Sequence, residues 1–169
     1  YQRYVGAIIS TIAVALWEPA HVHRGGQTGR SRGHDVFRIG ELHGRVTPRV
    51  QELAEMLSCI DGAHATSNLW GERWGKLATN CMANSLCALT GLSSAGQRLT
   101  PGVVDVAIKI GAEVVKTGKA RGVRVEPING IPAESYEQAD NAQMLEEIKT
   151  QLAESAGELG EGRPSMLQD

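Results

Sequence analysis

The stretch that most constrains this chain is residues 68–91, NLWGERWGKLATNCMANSLCALTG. It opens on Asn68, a residue type suited to capping a helix N-terminus, and sets Glu72 near the positive end of the helix dipole. It stops at Gly91, as helices do where the next residue must turn left-handed. The pattern therefore predicts one long helix. With about 3.6 residues per turn, Lys76, Asn80 and Asn84 fall on one stripe, one turn apart. Trp70, Trp74, Leu77, Ala78, Cys81 and Ala88 are expected on the opposite side as a broad apolar face that packs on a core. One face can bury while the other serves a ligand.

Composition narrows the class. In 169 residues, 41% hydrophobic and 21% charged, there is room for one good core or a small domain plus part of another. A net charge of -2 gives no electrostatic footprint for nucleic acid, so nucleic acid is set aside as a partner. The longest apolar run, residues 5–17, is broken by Ser10 and Thr11 and falls short of the roughly 18 residues of a membrane span, so no membrane partner is expected either. No charged region followed by a small-residue cleavage site suggests secretion. Cys59, Cys81 and Cys87 lack metal-type spacing and read as reduced thiols of a cytoplasmic protein.

Along the chain, the 5–17 run reads as a strand covered on both faces, and glycine-rich, basic residues 21–32 as a turn or loop. Residues 34–42 read as a shorter strand around Val36, Phe37 and Ile39. Thr47-Pro48 predicts a helix start, with Val50, Leu53, Ala54 and Leu57 facing a core and an end near Asp61-Gly62. A brief extended piece, 64–67, leads into the long helix. After Gly91, LSSAGQRL reads as a linker and Thr100-Pro101 as the start of a second amphipathic helix that ends at 118–122. Residues 123–132, with two prolines and the Asn129-Gly130 turn signal, are expected to be extended. Asp140 and Gln143 are expected to cap a last clear helix with Met144, Leu145, Ile148 and Leu152 inward.

Two motifs point to a family. W-x-K-L-x-x-N-x-x-x-N, from Trp74 to Asn84, resembles the start of the helical C-terminal domain of ketopantoate reductase, also called 2-dehydropantoate 2-reductase. Ser165-Met166-Leu167-Gln168-Asp169 is similar to the family's S-M-x-Q-D segment. The resemblance implies an α/β remnant of a Rossmann-type domain, residues 1–68, which is the C-terminal part of an NADPH-binding domain. A mostly α-helical substrate domain of the 6-phosphogluconate dehydrogenase C-terminal type follows over residues 69–169. It implies hydride transfer from NADPH to ketopantoate, giving pantoate for pantothenate and coenzyme A synthesis. The expected partners are a small keto-acid substrate and, as an open alternative, a second copy in a homodimer.

The same resemblance implies roles. Reduction of a ketone builds negative charge on oxygen, and a lysine can both stabilise that charge and give the proton, which is the role of Lys76. Partial burial of Lys76 against Trp74 and Leu77 would favour its neutral amine and bring its pKa nearer to working pH. Asn80 and Asn84 offer donors and acceptors, and their spacing alone leaves open substrate contact or interhelical hydrogen bonds. The resemblance implies substrate contact for both, with Ser165 adding a hydroxyl. The sequence holds no G-x-G-x-x-G, the loop that seats a dinucleotide pyrophosphate, so no cofactor-binding residue is assigned. The family's asparagine from the cofactor domain and its glutamate beyond S-M-x-Q-D are also missing, so the chain reads as a fragment truncated at both ends and inactive alone.

Competing features are weaker. His21 and His23 share one side of a strand but lack a third ligand at typical spacing, so no metal is expected. Gly25-Gly26-x-x-Gly29 lacks the strand-to-helix setting of a phosphate loop. Trp70 and Trp74 read as core. Two functional alternatives stand beside the main one: a reductase of another small 2-keto or 3-hydroxy acid, or a helical interaction or dimerisation module without chemistry.

Overall fold

A computed structural model describes the backbone of residues 4–10, 13–25 and 36–159. The chain divides into two compact units, Tyr1–Glu72 and Arg73–Asp169. The first is a small sheet fragment with a helix, and the second is helical.

In the first unit, β1 (Val5–Ile9), β2 (Ala13–Glu18), β3 (His21–Gly25), β4 (Phe37–Glu41) and β5 (Ala63–Ala65) form two sheets. One has the order β1-β4-β5, antiparallel between β1 and β4 and parallel between β4 and β5. The other is a β2-β3 hairpin with a register shift between Leu16 and Glu18. The single strand expected over residues 5–17 is thus two strands in different sheets. β1 is an edge, with Ala7 and Ile9 exposed, so its apolar run does not mean burial on both faces. The loop expected at 21–32 begins instead with β3, because His21-Val22-His23 can alternate along a strand before the glycines begin. Residues 26–32 lie outside the described residues.

Helix α1 (Pro48–Leu57) packs Val50 and Ala54 on Ile39 and Ala63. Thr47 is its N-cap residue, with Pro48 next, but the Thr47 hydroxyl does not cap. It donates to the Glu41 carboxylate at 2.6 Å instead. The helix ends earlier than Asp61-Gly62, at Leu57, and turns carry the chain to Gly62. Gly6 and Gly40 face each other across β1 and β4, and Leu69 fills the notch they leave. A Cβ on Gly40 would meet the Thr66 carbonyl at 2.9 Å, so the close approach requires glycine there.

Glu41 is 1% exposed and holds Arg49 through two hydrogen bonds, 2.7 and 2.6 Å. The Arg49 guanidinium first, then the Thr47 hydroxyl, hold its carboxyl at about 2, well below its ordinary 4.5. Because the folded-state value lies below the unfolded one, the ionised carboxylate stabilises the fold fully above about pH 4.5. That contribution disappears as pH falls toward 2. Arg49→Ala is expected to raise the pH midpoint of acid unfolding followed by circular dichroism. An unchanged midpoint would remove Glu41 from the account of acid stability.

The second unit is built on α2 (Leu69–Thr90), whose residues from Arg73 onward belong to it, and α4 (Val103–Ala120). Around them lie α3 (Ser94–Leu99), α5 (Ala133–Glu137), α6 (Ala142–Glu154) and α7 (Ala156–Leu159). Ala78 and Met82 of α2 pack with Ile108 and Val115 of α4, Tyr136 of α5 and Ile148 and Leu152 of α6 in one core. The expected linker after Gly91 contains α3, capped by Ser93, whose Oγ accepts the Gly96 N–H at 3.1 Å. Helix α4 starts two residues later than Thr100-Pro101 suggests. Gly102, at φ +80°, is its N-cap residue, and its N–H is taken by Asp105 at 2.9 Å. Asn141, rather than Asp140, caps α6 by accepting the N–H groups of Gln143 and Met144. Asp140 pairs with Lys116 at 3.0 Å.

No described helix is long and apolar enough to cross a membrane.

Candidate functional site

Helix α2 forms where its caps dictate. Asn68 Oδ1 accepts the Gly71 N–H at 3.2 Å, and its carbonyl accepts the Glu72 N–H at 3.1 Å. At the far end Gly91 sits at φ +71° and donates to the Cys87 carbonyl at 2.8 Å. Thr79 and Thr90 turn their hydroxyls back onto Gly75 and Leu86 carbonyls, so neither competes with the helix.

Its buried face is not the expected one. Gly71, Gly75, Ala78, Met82 and Leu86 are buried, whereas Trp70 is 47% and Leu77 46% exposed and Ala88 is exposed. On a helical projection the face is turned by about 100°, one residue step, from the one that side-chain hydrophobicity suggests. The cause is a close approach. A Cβ on Gly75 would meet the Glu126 carbonyl oxygen at 3.0 Å, so α2 turns its small residues toward the segment after α4. Trp74 is half-buried at the rim of this face and packs against Gly118.

Lys76, Asn80 and Asn84 still share one stripe, on the side of α2 away from Ala78 and Met82. Eight residues of helix put about 12 Å between the first and last Cα. Lys76 and Asn80 are exposed and Asn84 is half-buried. Lys76 is not buried against Trp74 and Leu77, for Leu77 is itself exposed. Among the described residues, the side-chain amides of Asn80 and Asn84 form no hydrogen bond. Interhelical bonding of these two amides thus finds no partner within that set. Ser165 lies outside the described residues. Chemically, the stripe offers one cation and two uncommitted amides, a donor-rich surface for a small carboxylate that also carries carbonyl and hydroxyl oxygens.

Other groups lie elsewhere. A cavity of about 310 Å³ in the second unit is lined by Val115, Lys119, Val123, Val125, Ala133 and Glu137, and no residue of the stripe lines it. The Lys119–Glu137 ion pair, 2.8 Å, closes charge on charge there. In the first unit, Arg38 and His64 approach the Glu72 carboxylate at 3.1 and 3.9 Å. Spacing in sequence had given no sign of this cluster, because its members come from three separate elements. Among the described residues, no group of three or more histidine, cysteine or acidic side chains could hold a metal ion.

The N-termini of α1 and α2 do not fit a dinucleotide pyrophosphate. Such a group needs free N–H groups at a helix N-terminus after a glycine-rich turn. The start of α1 is occupied by the buried Glu41 carboxylate and Pro48, and the start of α2 by the Asn68 side chain with Glu72 in the first turn. Both ends already hold acceptors or negative charge.

A model of the family described as ketopantoate reductase PanE/ApbA C terminal matches residues 68–169. Among solved structures, 2-dehydropantoate 2-reductase from Geobacter metallireducens is similar at 24% identity and a TM-score of 0.66 over 98% of this chain and 47% of that one. D-mandelate dehydrogenase, in a ternary structure with NADH and anilino(oxo)acetate, is similar at 18% and 0.68 over 94% and 44%. A PanE/ApbA family ketopantoate reductase from Ralstonia eutropha is similar at 19% and 0.63 over 98% and 45%. At these identities the structures speak for the fold, and the chain spans less than half the length of each. Among curated proteins, none matches the sequence. With its long capped helix, its helical core and a family match over most of its length, the chain belongs to the ketopantoate reductase family of oxidoreductases.

Proposed function

We propose that this chain carries the substrate-recognition part of an NADPH-dependent reductase that converts 2-dehydropantoate to pantoate, in the cytoplasm, for pantothenate and coenzyme A synthesis. In this reading residues 1–68 complete a cofactor domain and residues 69–169 hold the substrate. The observation that carries it is the α2 stripe. Asn80 and Asn84 are amides with no hydrogen bond among the described residues, one and two turns beyond an exposed lysine, inside the segment that matches the family.

Each side chain then has a task. Lys76 faces the ketone oxygen, stabilises the charge that develops there as the carbonyl is reduced, and supplies the proton that leaves an alcohol. Asn80 and Asn84 orient the keto acid through its hydroxyl and carboxylate oxygens, and Ser165 adds a hydroxyl. No residue of this chain is assigned to NADPH, which supplies the hydride.

The D-mandelate dehydrogenase neighbour favours a second reading, since the anilino(oxo)acetate in its structure carries a carbonyl beside a carboxylate, as a 2-keto acid does. The same stripe would serve a reductase of another small 2-keto acid. Initial rates of NADPH oxidation by a full-length protein carrying this chain, with 2-dehydropantoate beside unbranched 2-keto acids, separate the two. A kcat/KM highest for 2-dehydropantoate is the expected result. A preference for an aryl or unbranched 2-keto acid moves the assignment to the second reading.

A further inference from the structure

The tight turn after α4 holds a reactive pair. Ile128 and Ile131 exchange backbone hydrogen bonds of 2.9 and 3.0 Å, leaving Asn129 at φ +54° and Gly130 at φ +80° between them. Left-handed backbone at both central positions is what Asn-Gly supplies in a two-residue turn. Those two bonds run through the isoleucines, and the Gly130 N–H takes no part in them. Gly130 is exposed and has no side chain to shield its nitrogen.

The Asn129 amide is held from the side. Its Oδ1 accepts from Arg98 Nη2 at 3.0 Å, while the fully buried Tyr136 phenol donates to the neighbouring Ile128 carbonyl at 3.4 Å. Arg98 Nη1 donates to Ser155 Oγ at 2.5 Å. Among the described residues Arg98 makes no ion pair, so a half-buried guanidinium rests on two neutral oxygens. Cations in such places are ordinarily matched by a carboxylate. Here the oxygen in that position belongs to an amide that water can turn into one.

We propose that Asn129 is a deamidation site at which Arg98 directs the product to normal aspartate. The Gly130 nitrogen loses its proton and attacks the Asn129 Cγ. That step forms a C–N bond and expels the side-chain nitrogen as ammonia, which leaves a five-membered imide. Water then opens the ring, so the net change is asparagine plus water to an acidic residue plus ammonia, with no oxidation or reduction. Opening at Cγ gives aspartate, whereas opening at the backbone carbonyl gives isoaspartate. By donating to the oxygen on Cγ, the Arg98 guanidinium polarises that carbonyl in both steps and stabilises the oxyanion formed there, which favours opening at Cγ. The aspartate formed is an ion-pair partner for Arg98 at hydrogen-bonding distance.

The test incubates the folded 169-residue chain in oxygen-18 water at mildly alkaline pH. Fragment-ion mapping locates the label and isoaspartate-sensitive digestion divides the products. The expected result is label at Asn129 ahead of Asn141 and the other asparagines, with aspartate exceeding isoaspartate in the wild type and the order reversed in Arg98→Met. Independently, Asn129→Asp is expected to melt above the wild type at pH 7, with the gain lost in an Arg98→Met background. Label at Asn129 in the urea-unfolded chain but not in the folded one would overturn the proposal. So would an unchanged product ratio in Arg98→Met, or an Asn129→Asp chain that melts below the wild type.

Discussion

Lys76→Ala, made in a full-length protein carrying this chain, is expected to lower kcat/KM for the keto acid by about 10²–10⁴, the range for loss of a positioned general acid. That corresponds to about 3–5 kcal/mol of transition-state stabilisation. Stability should hardly move, because Lys76 is exposed and surface substitutions usually stay within about 0.5 kcal/mol. The two readouts together are decisive. A turnover loss with an unchanged melting curve places the chemistry on α2, while unchanged turnover removes Lys76 from the reaction and brings forward the reading of a helical interaction module. Stabilising the negative charge that develops on the ketone oxygen needs a cation at this position. Lys76→Arg should therefore retain more activity than Lys76→Met.

The second large effect concerns which side of α2 is inside. Ala78 is 0% exposed against Ile108 and Met82, so Ala78→Asp would bury an unpaired carboxylate in the core of the second unit. A loss on the order of 3–5 kcal/mol, or failure to fold, is expected. Leu77→Gln, one position away, should cost less than about 1 kcal/mol because Leu77 is already half in water. Hydrophobicity along the helix would suggest that Leu77 is the costlier position. Urea unfolding of both variants decides the matter, and equal losses would contradict the orientation described here.

That contrast shows where sequence reasoning reaches its limit. The ends of α2 were legible because a cap is a local event: Asn68 and Gly91 act on backbone groups within one turn of themselves. Its inward face was not, since it depends on the Glu126 carbonyl coming within reach of Gly75, a contact between residues 51 apart in sequence. Ranking side chains by hydrophobicity put Trp70 and Leu77 inside and overlooked glycine as a packing surface. The helix α3 was hidden for a related reason. Its residues Ser-Ala-Gly-Gln-Arg-Leu carry little apolar periodicity, and its start rests on one Ser93 hydroxyl. β1 looked like a central strand because an apolar run reveals composition, not the number of neighbours.

The candidate site divides in the same manner. Steps of four along a helix are fixed by backbone geometry, so the common stripe of Lys76, Asn80 and Asn84 could be read directly from spacing. How exposed each one is could not, nor could the lack of partners for the two amides among the described residues, which depends on what every neighbouring element does with its own polar groups. Arg98, Asn129, Ser155 and Tyr136 come from four places in the chain, and no single-segment pattern joins them.

In the function proposed above, the α2 stripe binds a small keto acid. Side-chain amide resonances of Asn80 and Asn84 in the 169-residue chain, followed by NMR as 2-dehydropantoate is added, test it most directly. Saturable shifts at both amides, abolished in Lys76→Ala, are the predicted result. Amides that stay fixed while residues lining the Val115–Glu137 cavity shift would contradict it.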